Sequence, residues 1–521
     1  MNKTSVTKRP PGRVRTILAL GGFLCLLGFG LAGAAIPFPP GQALDRIECL
    51  QTPGETYALY LPTAYDPGRT WPVLFAFDPG GQVTVPLELF RPAAEKYGVI
   101  LICPAGVKNG PLEPVFKAMQ SVWDDACARL AIDRGRVYTA GFSGGARMAT
   151  FFHLVIERPV VGIIACGAGL ASSVRADQVK GIPFFGVAGI ADFNYAEMVT
   201  LEGTLAGMGT PYRFLYGEGG HRWPPAETCL RAVEWLTVTS WAAKREPGAA
   251  GEPPLDACLA KETALAEERA RCGEEYYAAA DLEGIARTFA GLRPVDEVKR
   301  RAQALRSGEG YRSFQAEEGR RLREEAVLTQ KAMAGFAYLA RSEPKDVNLA
   351  RLIEAMNLPW LGQRVKKGKT RYDEAMAARV LFAAAMKCAE DVEYYLGRED
   401  FARAGLVLEV GLAAAEGTPF APRFHYRRGA LQARLGERKK ALKSLNRAVD
   451  LGLADLNTLE KDPWLDSLRG DPAFGQLLER LSSAQAAPGS ANREAAATPR
   501  LAGEEALSLT PREWEVVTEL N

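Results

Sequence analysis

Arg136-Val137-Tyr138-Thr139-Ala140-Gly141-Phe142-Ser143-Gly144-Gly145-Ala146-Arg147-Met148-Ala149-Thr150 decides the fold of this 521-residue chain. An apolar, β-preferring run meets Gly141 and is followed at once by residues that favour a helix. The spelling predicts a strand, a sharp turn and a helix, with Ser143 at the apex and its hydroxyl exposed. Gly141 and Gly145 then have a physical reason, because a turn this tight brings neighbouring backbones closer than a side chain allows. A serine so placed is a candidate nucleophile, and it needs a base to take its proton and a carboxylate to orient that base.

Candidates for both follow in chain order. Only three histidines occur in the sequence. His221 ends Gly219-Gly220-His221 and precedes Arg222-Trp223-Pro224, whereas His153 lies in an apolar run after the serine and His425 stands far off in a region of different character. Asp192 follows Gly189-Ile190-Ala191, the end of another apolar run, where a competing role is to cap a helix starting near Tyr195. An oxyanion needs two donors. One is the amide of Gly144, next to the serine; the other is expected in Asp78-Pro79-Gly80-Gly81-Gln82, with Gly80 as the donor and Gly81 its neighbour should the register differ by one.

Working outward, short apolar runs alternate with helical periods. Strands are expected over 57–61, 73–77, 99–103, 136–141, 161–166, 183–189 and 213–217, and helices over 87–97, 115–130, 145–157, 195–208 and 226–241. This is the rhythm of a doubly wound, mostly parallel α/β sheet. Ser143, Asp192 and His221 each follow an expected strand, where such sheets place ligands.

Ile132-Asp133-Arg134-Gly135-Arg136-Val137-Tyr138 through Gly145, with Gly219-Gly220-His221-Arg222-Trp223-Pro224, is similar to the secreted α/β-hydrolases of the polyhydroxybutyrate depolymerase and feruloyl esterase group. The likeness covers roughly residues 50–241. It implies an α/β-hydrolase fold and a carboxylic ester hydrolase with an acyl-enzyme intermediate, no cofactor and no metal, and a small or oligomeric ester as substrate. Gly81, Gln82 and Trp223 are the expected pocket residues. Where the group has His-Gly at the start of the oxyanion loop, this chain has Asp78-Pro79.

The remainder divides by composition. Residues 1–35 carry Lys3, Lys8, Arg9, Arg13 and Arg15, then an apolar run and Ala32-Gly33-Ala34-Ala35, which reads as an export signal or a retained N-terminal anchor. Cys25 lacks the small residues that a lipid-attachment site wants before it. The expected location is periplasmic or secreted, with membrane association only through that segment. The hydrolase domain is expected over 45–245, a Pro/Gly linker over 246–254, a helical region over 255–390 and tetratricopeptide-like repeats over 391–481. In those repeats Gly429, Gly436, Ala441 and Ala448 stand where paired helices approach closely. A mostly disordered tail is expected over 482–521, with a short helix over 511–520.

Lys+Arg 64 against Asp+Glu 62 leaves +2, too little for a nucleic-acid partner. Residues 255–481 are a possible protein-binding region. The cysteines beyond the export segment are scattered without short paired spacings, so most are read as small buried hydrophobes, with one or two of the disulfide bridges that export permits. An alternative reading is a cell-envelope scaffold in which the hydrolase fold has lost catalysis and the helical half recruits partners.

Overall fold

Along Trp71–Phe77 the side chains alternate between two apolar layers: Val73, Phe75 and Phe77 join one core cluster, Leu74 and Ala76 another. A strand buried on both faces has helices on both faces, and that fixes the layering of the first half of the molecule. The computed structural model describes residues 38–244, 254–418, 420–453 and 456–486.

The strands are β1 (Ala43–Glu48), β2 (Thr56–Tyr60), β3 (Trp71–Phe77), β4 (Ile100–Pro104), β5 (Ile132–Phe142), β6 (Ile163–Cys166), β7 (Phe184–Gly189) and β8 (Tyr212–Gly217). They form one sheet in the order β1-β2-β4-β3-β5-β6-β7-β8. From β4 through β8 all neighbours are parallel, while β1 and β2 run antiparallel at one edge. The interleaved helices are α1 (Thr84–Tyr97), α2 (Leu112–Arg129), α3 (Gly144–Val155), α4 (Tyr195–Gly207) and α5 (Ala226–Lys244). Helices α2, α3 and α4 pack on one face and α1 and α5 on the other. This is the α/β-hydrolase arrangement. Strand β3 pairs with β4 on one side and β5 on the other, so the chain reverses its direction of travel across the sheet there, and Ser143 stands just beyond the carboxyl end of β5.

The expected strands and helices of this half are present with ends shifted by a few residues. Strand β1 was not anticipated: Ala43–Glu48 has one buried residue in six, and an edge strand of that kind has no apolar alternation to read.

From Leu255 onward the described residues contain helices and no strand. They are α6 (Leu255–Arg271), α7 (Glu275–Phe289), α8 (Asp296–Ser307), α9 (Glu309–Arg341), α10 (Leu349–Ala355), α11 (Leu358–Lys367), α12 (Arg371–Leu396), α13 (Phe401–Ala415), α14 (Ala421–Arg434), α15 (Arg438–Asp450), α16 (Leu456–Lys461) and α17 (Pro472–Ala486). Within the α14–α15 pair a side chain on Gly429 would meet Leu445 at 2.8 Å, so this glycine does serve a close helix approach. Gly436 does not: it lies in the turn between the helices at φ +77 with open space around it, and its value there is the left-handed backbone.

The helical region is joined to the sheet half by buried ionic and hydroxyl networks. Glu262 of α6 accepts from Arg213 of β8 at 2.5 Å and from Arg231 of α5 at 2.8 Å. Burial opposes the charge on Glu262, yet the two guanidinium groups hold its carboxyl down to about 2. Tyr195 of α4 meets the Tyr277 hydroxyl at 2.9 Å and donates to Glu318 of α9 at 2.8 Å. Removing one member of such a set leaves an uncompensated buried charge.

Cys49, Cys103, Cys127, Cys166, Cys229, Cys258, Cys272 and Cys388 are all free thiols, most of them buried as expected, and the one or two expected bridges are not formed among them. No helix among the described residues is long and apolar enough to cross a membrane. The export signal or anchor expected over 1–35, most of the linker expected over 246–254, all but the start of the tail expected over 482–521 and the helix expected over 511–520 lie outside the described residues.

Candidate active site

Ser143 holds φ 53 and ψ −124, a backbone conformation that a residue with a Cβ adopts only at a cost of about 1–3 kcal/mol. The strain is imposed from both sides. A Cβ on Gly141 would lie 2.0 Å from the Gly145 carbonyl oxygen, and one on Gly145 would lie 2.1 Å from that of Phe77. Helix α3 therefore abuts the ends of β5 and β3 through glycine alone, and Ser143 occupies the only apex left. Its amide donates to the Cys166 carbonyl at 2.9 Å, pinning the turn to β6.

The three residues proposed from chain order come together. His221 Nε2 lies 2.8 Å from Ser143 Oγ, and His221 Nδ1 lies 2.9 Å from Asp192 Oδ1. His221 is 3% and Asp192 1% exposed, whereas Ser143 is half-buried. The loops carrying acid and base are laced together: Ala191 donates its amide to the Gly219 carbonyl at 2.9 Å, and a Cβ on Gly189 would meet that same oxygen at 2.2 Å. Asp192 is not the cap of α4. Its Oδ1 takes the Asn194 amide at 2.9 Å beside the imidazole, and the helix begins after Asn194. Asn194 in turn donates from Nδ2 to the Gly167 carbonyl at 2.7 Å. The imidazole is flanked by Phe142 at 4.6 Å and Phe193 at 4.3 Å between ring centroids. His153 and His425 take no part; burial pushes His153 down, and burial with Arg428 and Arg447 pushes His425 down to about 4.

The loop after β3 corrects the expectation placed on it. The Gly80 amide is not free for an oxyanion, because it donates to Asp78 Oδ1 at 2.9 Å. Gln82 donates its amide to the same oxygen at 3.1 Å, and the Gly81 amide goes to the Asp78 carbonyl at 3.0 Å. A buried carboxylate gathers donors, and Asp78 takes two amides of this loop on its side chain and a third on its carbonyl. Burial raises the Asp78 carboxyl above its ordinary range in spite of the opposing bonds from Trp223, Gly80 and Gln82. Trp223 is likewise engaged. Its indole N–H donates to Asp78 Oδ2 at 2.8 Å, and its ring packs on Phe90 and Phe142 in the core shared with α1 and α5, so it ties the histidine loop to the loop after β3.

Sequence reasoning missed Asn109. Its amide donates to the Pro79 carbonyl at 2.8 Å, and its side-chain oxygen lies 1.8 Å from where a Cβ on Gly144 would stand. A side chain on Gly144 would therefore have to displace the Asn109 carboxamide. Nothing in Gly106-Val107-Lys108-Asn109-Gly110 beyond its loop composition signals this. Among the described residues no group of His, Cys, Asp or Glu is arranged to hold a metal ion.

No protein-family model matches the chain, and no curated protein matches it. Solved structures do. An esterase from the hyperthermophilic archaeon Pyrobaculum calidifontis is 13% identical, covering 39% of this chain and 87% of its own, with a TM-score of 0.31. A ferulic acid esterase is 16% identical over 38% of this chain and 98% of its own, with a TM-score of 0.31. An S-formylglutathione hydrolase from Staphylococcus aureus is 15% identical over 37% and 97%, with a TM-score of 0.31.

Proposed function

We propose that this chain is an exported serine hydrolase acting on carboxylic esters, akin to the polyhydroxybutyrate depolymerase and feruloyl esterase group, with Ser143, His221 and Asp192 as its catalytic residues. The observation that carries the reading is the pair of hydrogen bonds from one buried imidazole, 2.8 Å to Ser143 Oγ and 2.9 Å to Asp192 Oδ1. With Nδ1–H turned to the carboxylate, Nε2 is left as the base toward the hydroxyl. Ser143 Oγ adds to the ester carbonyl carbon while His221 takes its proton. The tetrahedral oxyanion is received by the Gly144 amide at the start of α3, where the helix dipole also favours negative charge. Collapse expels the alcohol, which leaves with the proton from His221. Water, deprotonated by the same imidazole, then attacks the acyl-enzyme and releases the acid.

The Gly80 amide serves as second donor only if it exchanges its Asp78 partner for the oxyanion. The occupied loop amides are the one observation that favours the alternative, a retired hydrolase fold serving as a cell-envelope scaffold whose tetratricopeptide-like region binds a protein partner. Turnover of a graded series of p-nitrophenyl esters by wild type and Ser143→Ala decides between them. The enzyme reading expects hydrolysis that falls about a thousandfold or more in S143A with the melting temperature nearly unchanged. A folded wild type without turnover on any acyl length supports the scaffold.

A further inference from the structure

The helical region reaches the catalytic histidine, and we infer that Arg379 and Phe382 of α12 are positioning residues that clamp the acid loop. The inference rests on the serine-hydrolase reading above. Two contacts from one turn of α12 grip the same short segment. Arg379, 3% exposed, donates to the Ile190 carbonyl, two residues before Asp192. The same guanidinium is held by both carboxylate oxygens of Glu325 on α9, with Nε to Oε1 at 2.8 Å, and lies 4.6 Å above the Tyr195 ring. Phe382, three residues and so just under one helical turn further on, stacks on Phe193 at 4.5 Å and 10° between planes. Phe193 is the residue after Asp192 and lies against the imidazole at 4.3 Å; Phe382 itself stands 6.4 Å from His221. Phe420 packs edge-on against the Phe382 ring at 4.8 Å.

The acid loop is thus held before Asp192 by a guanidinium and after it by a ring stack. A carboxylate displaced by an ångström no longer fixes the imidazole against Ser143, and such a misplacement alone can cost about a hundredfold in rate. The helical half is, on this account, part of the catalytic machinery through its support of Asp192, and Phe382 acts through Phe193 and His221 without touching substrate.

The test uses the full chain and its Phe382→Ala, Phe382→Leu and Leu445→Ala variants. Leu445 is fully buried in α15, remote from the site, and its truncation controls for loss of stability alone. We measure melting temperature, kcat and KM on p-nitrophenyl acetate, and the rate of fluorophosphonate labelling at Ser143. F382A is expected to lower kcat and the labelling rate together by about tenfold or more with KM within about twofold. F382L, with apolar bulk but no flat face for Phe193, is expected to lose part of the same rate, and it carries the test should F382A fail to fold. L445A is expected to lose melting temperature and keep kcat. A folded Phe382 variant with wild-type kcat and labelling overturns the clamp, as does a change confined to KM or an equal loss of kcat in L445A. Wild type that does not label overturns the hydrolase reading itself, a different failure from labelled wild type with unaffected variants.

Discussion

The two sides of the candidate site are built on opposite principles. On the side of Ser143, His221 and Asp192, each polar group faces the next, and the glycines around them leave the chain no other path. On the side of Asp78 to Gln82, the amides are spent within their own loop on a carboxylate that is itself buried. On the proposed reading the first side is already arranged for proton transfer. The second has its donors satisfied already, so any use of Gly80 is an exchange of partners, and exchange costs part of what an oxyanion donor contributes, about 3 kcal/mol. A hydrolase of this form would rely most on Gly144.

That contrast can be broken in graded steps. The largest effect is expected from Asp192→Asn, which keeps the loop's shape but offers the imidazole an amide; kcat should fall about a thousandfold or more, with KM little changed. A drop under tenfold would mean that Asp192 is structural and the ordered side of the site is not catalytic. Next comes Gly144→Ala. Its methyl group would sit 1.8 Å from the Asn109 side-chain oxygen, so Asn109 must swing away from the nucleophile, and we expect kcat to fall about a hundredfold while the melting temperature changes by only a few degrees. Unchanged turnover in G144A would show that the flank of α3 is not where charge develops.

The smallest effect sharpens the other side. Asp78→Asn keeps an oxygen for the Gly80 and Gln82 amides but sets an NH2 group against the Trp223 N–H, at a cost of about 1–2 kcal/mol in stability. Its pH dependence has a defined sign. The Asp78 carboxyl is raised in the fold, mainly by burial, so between its unfolded and folded values the native state binds the extra proton. Stability therefore rises as pH falls through the folded value, and the penalty of the buried charge is fully present above it. Melting temperatures of wild type and D78N followed from neutral pH downward should move in favour of wild type as the solution is acidified. A constant difference would show that Asp78 titrates in the fold as it does in the unfolded chain.

What could be read from the residues follows from where the information lies. Strands β2 to β8 announce themselves because buried strands are continuous apolar runs, and Ser143, Asp192 and His221 because each stands at the end of one. Strand β1 carries no such signal, being an exposed edge. The commitment of Gly80 to Asp78 is legible only in part: an aspartate beside glycines readily takes nearby amides, but which groups a buried carboxylate collects depends on Trp223, 145 positions away in the chain. Nothing local to Arg379 or Phe382 points to residues 190–193. Their meeting is a product of how α12 packs, and a helical period alone says which face is apolar, not what that face touches.

On the proposed reading Ser143 is a nucleophile driven by His221. Fluorophosphonate labelling of the folded chain, located by peptide mapping, tests it most directly. The account predicts a single adduct on Ser143 in wild type, none on Ser143→Ala, and labelling slowed at least about a hundredfold in His221→Ala. A folded wild type that stays unlabelled, or an adduct on another residue that survives in S143A, would contradict it.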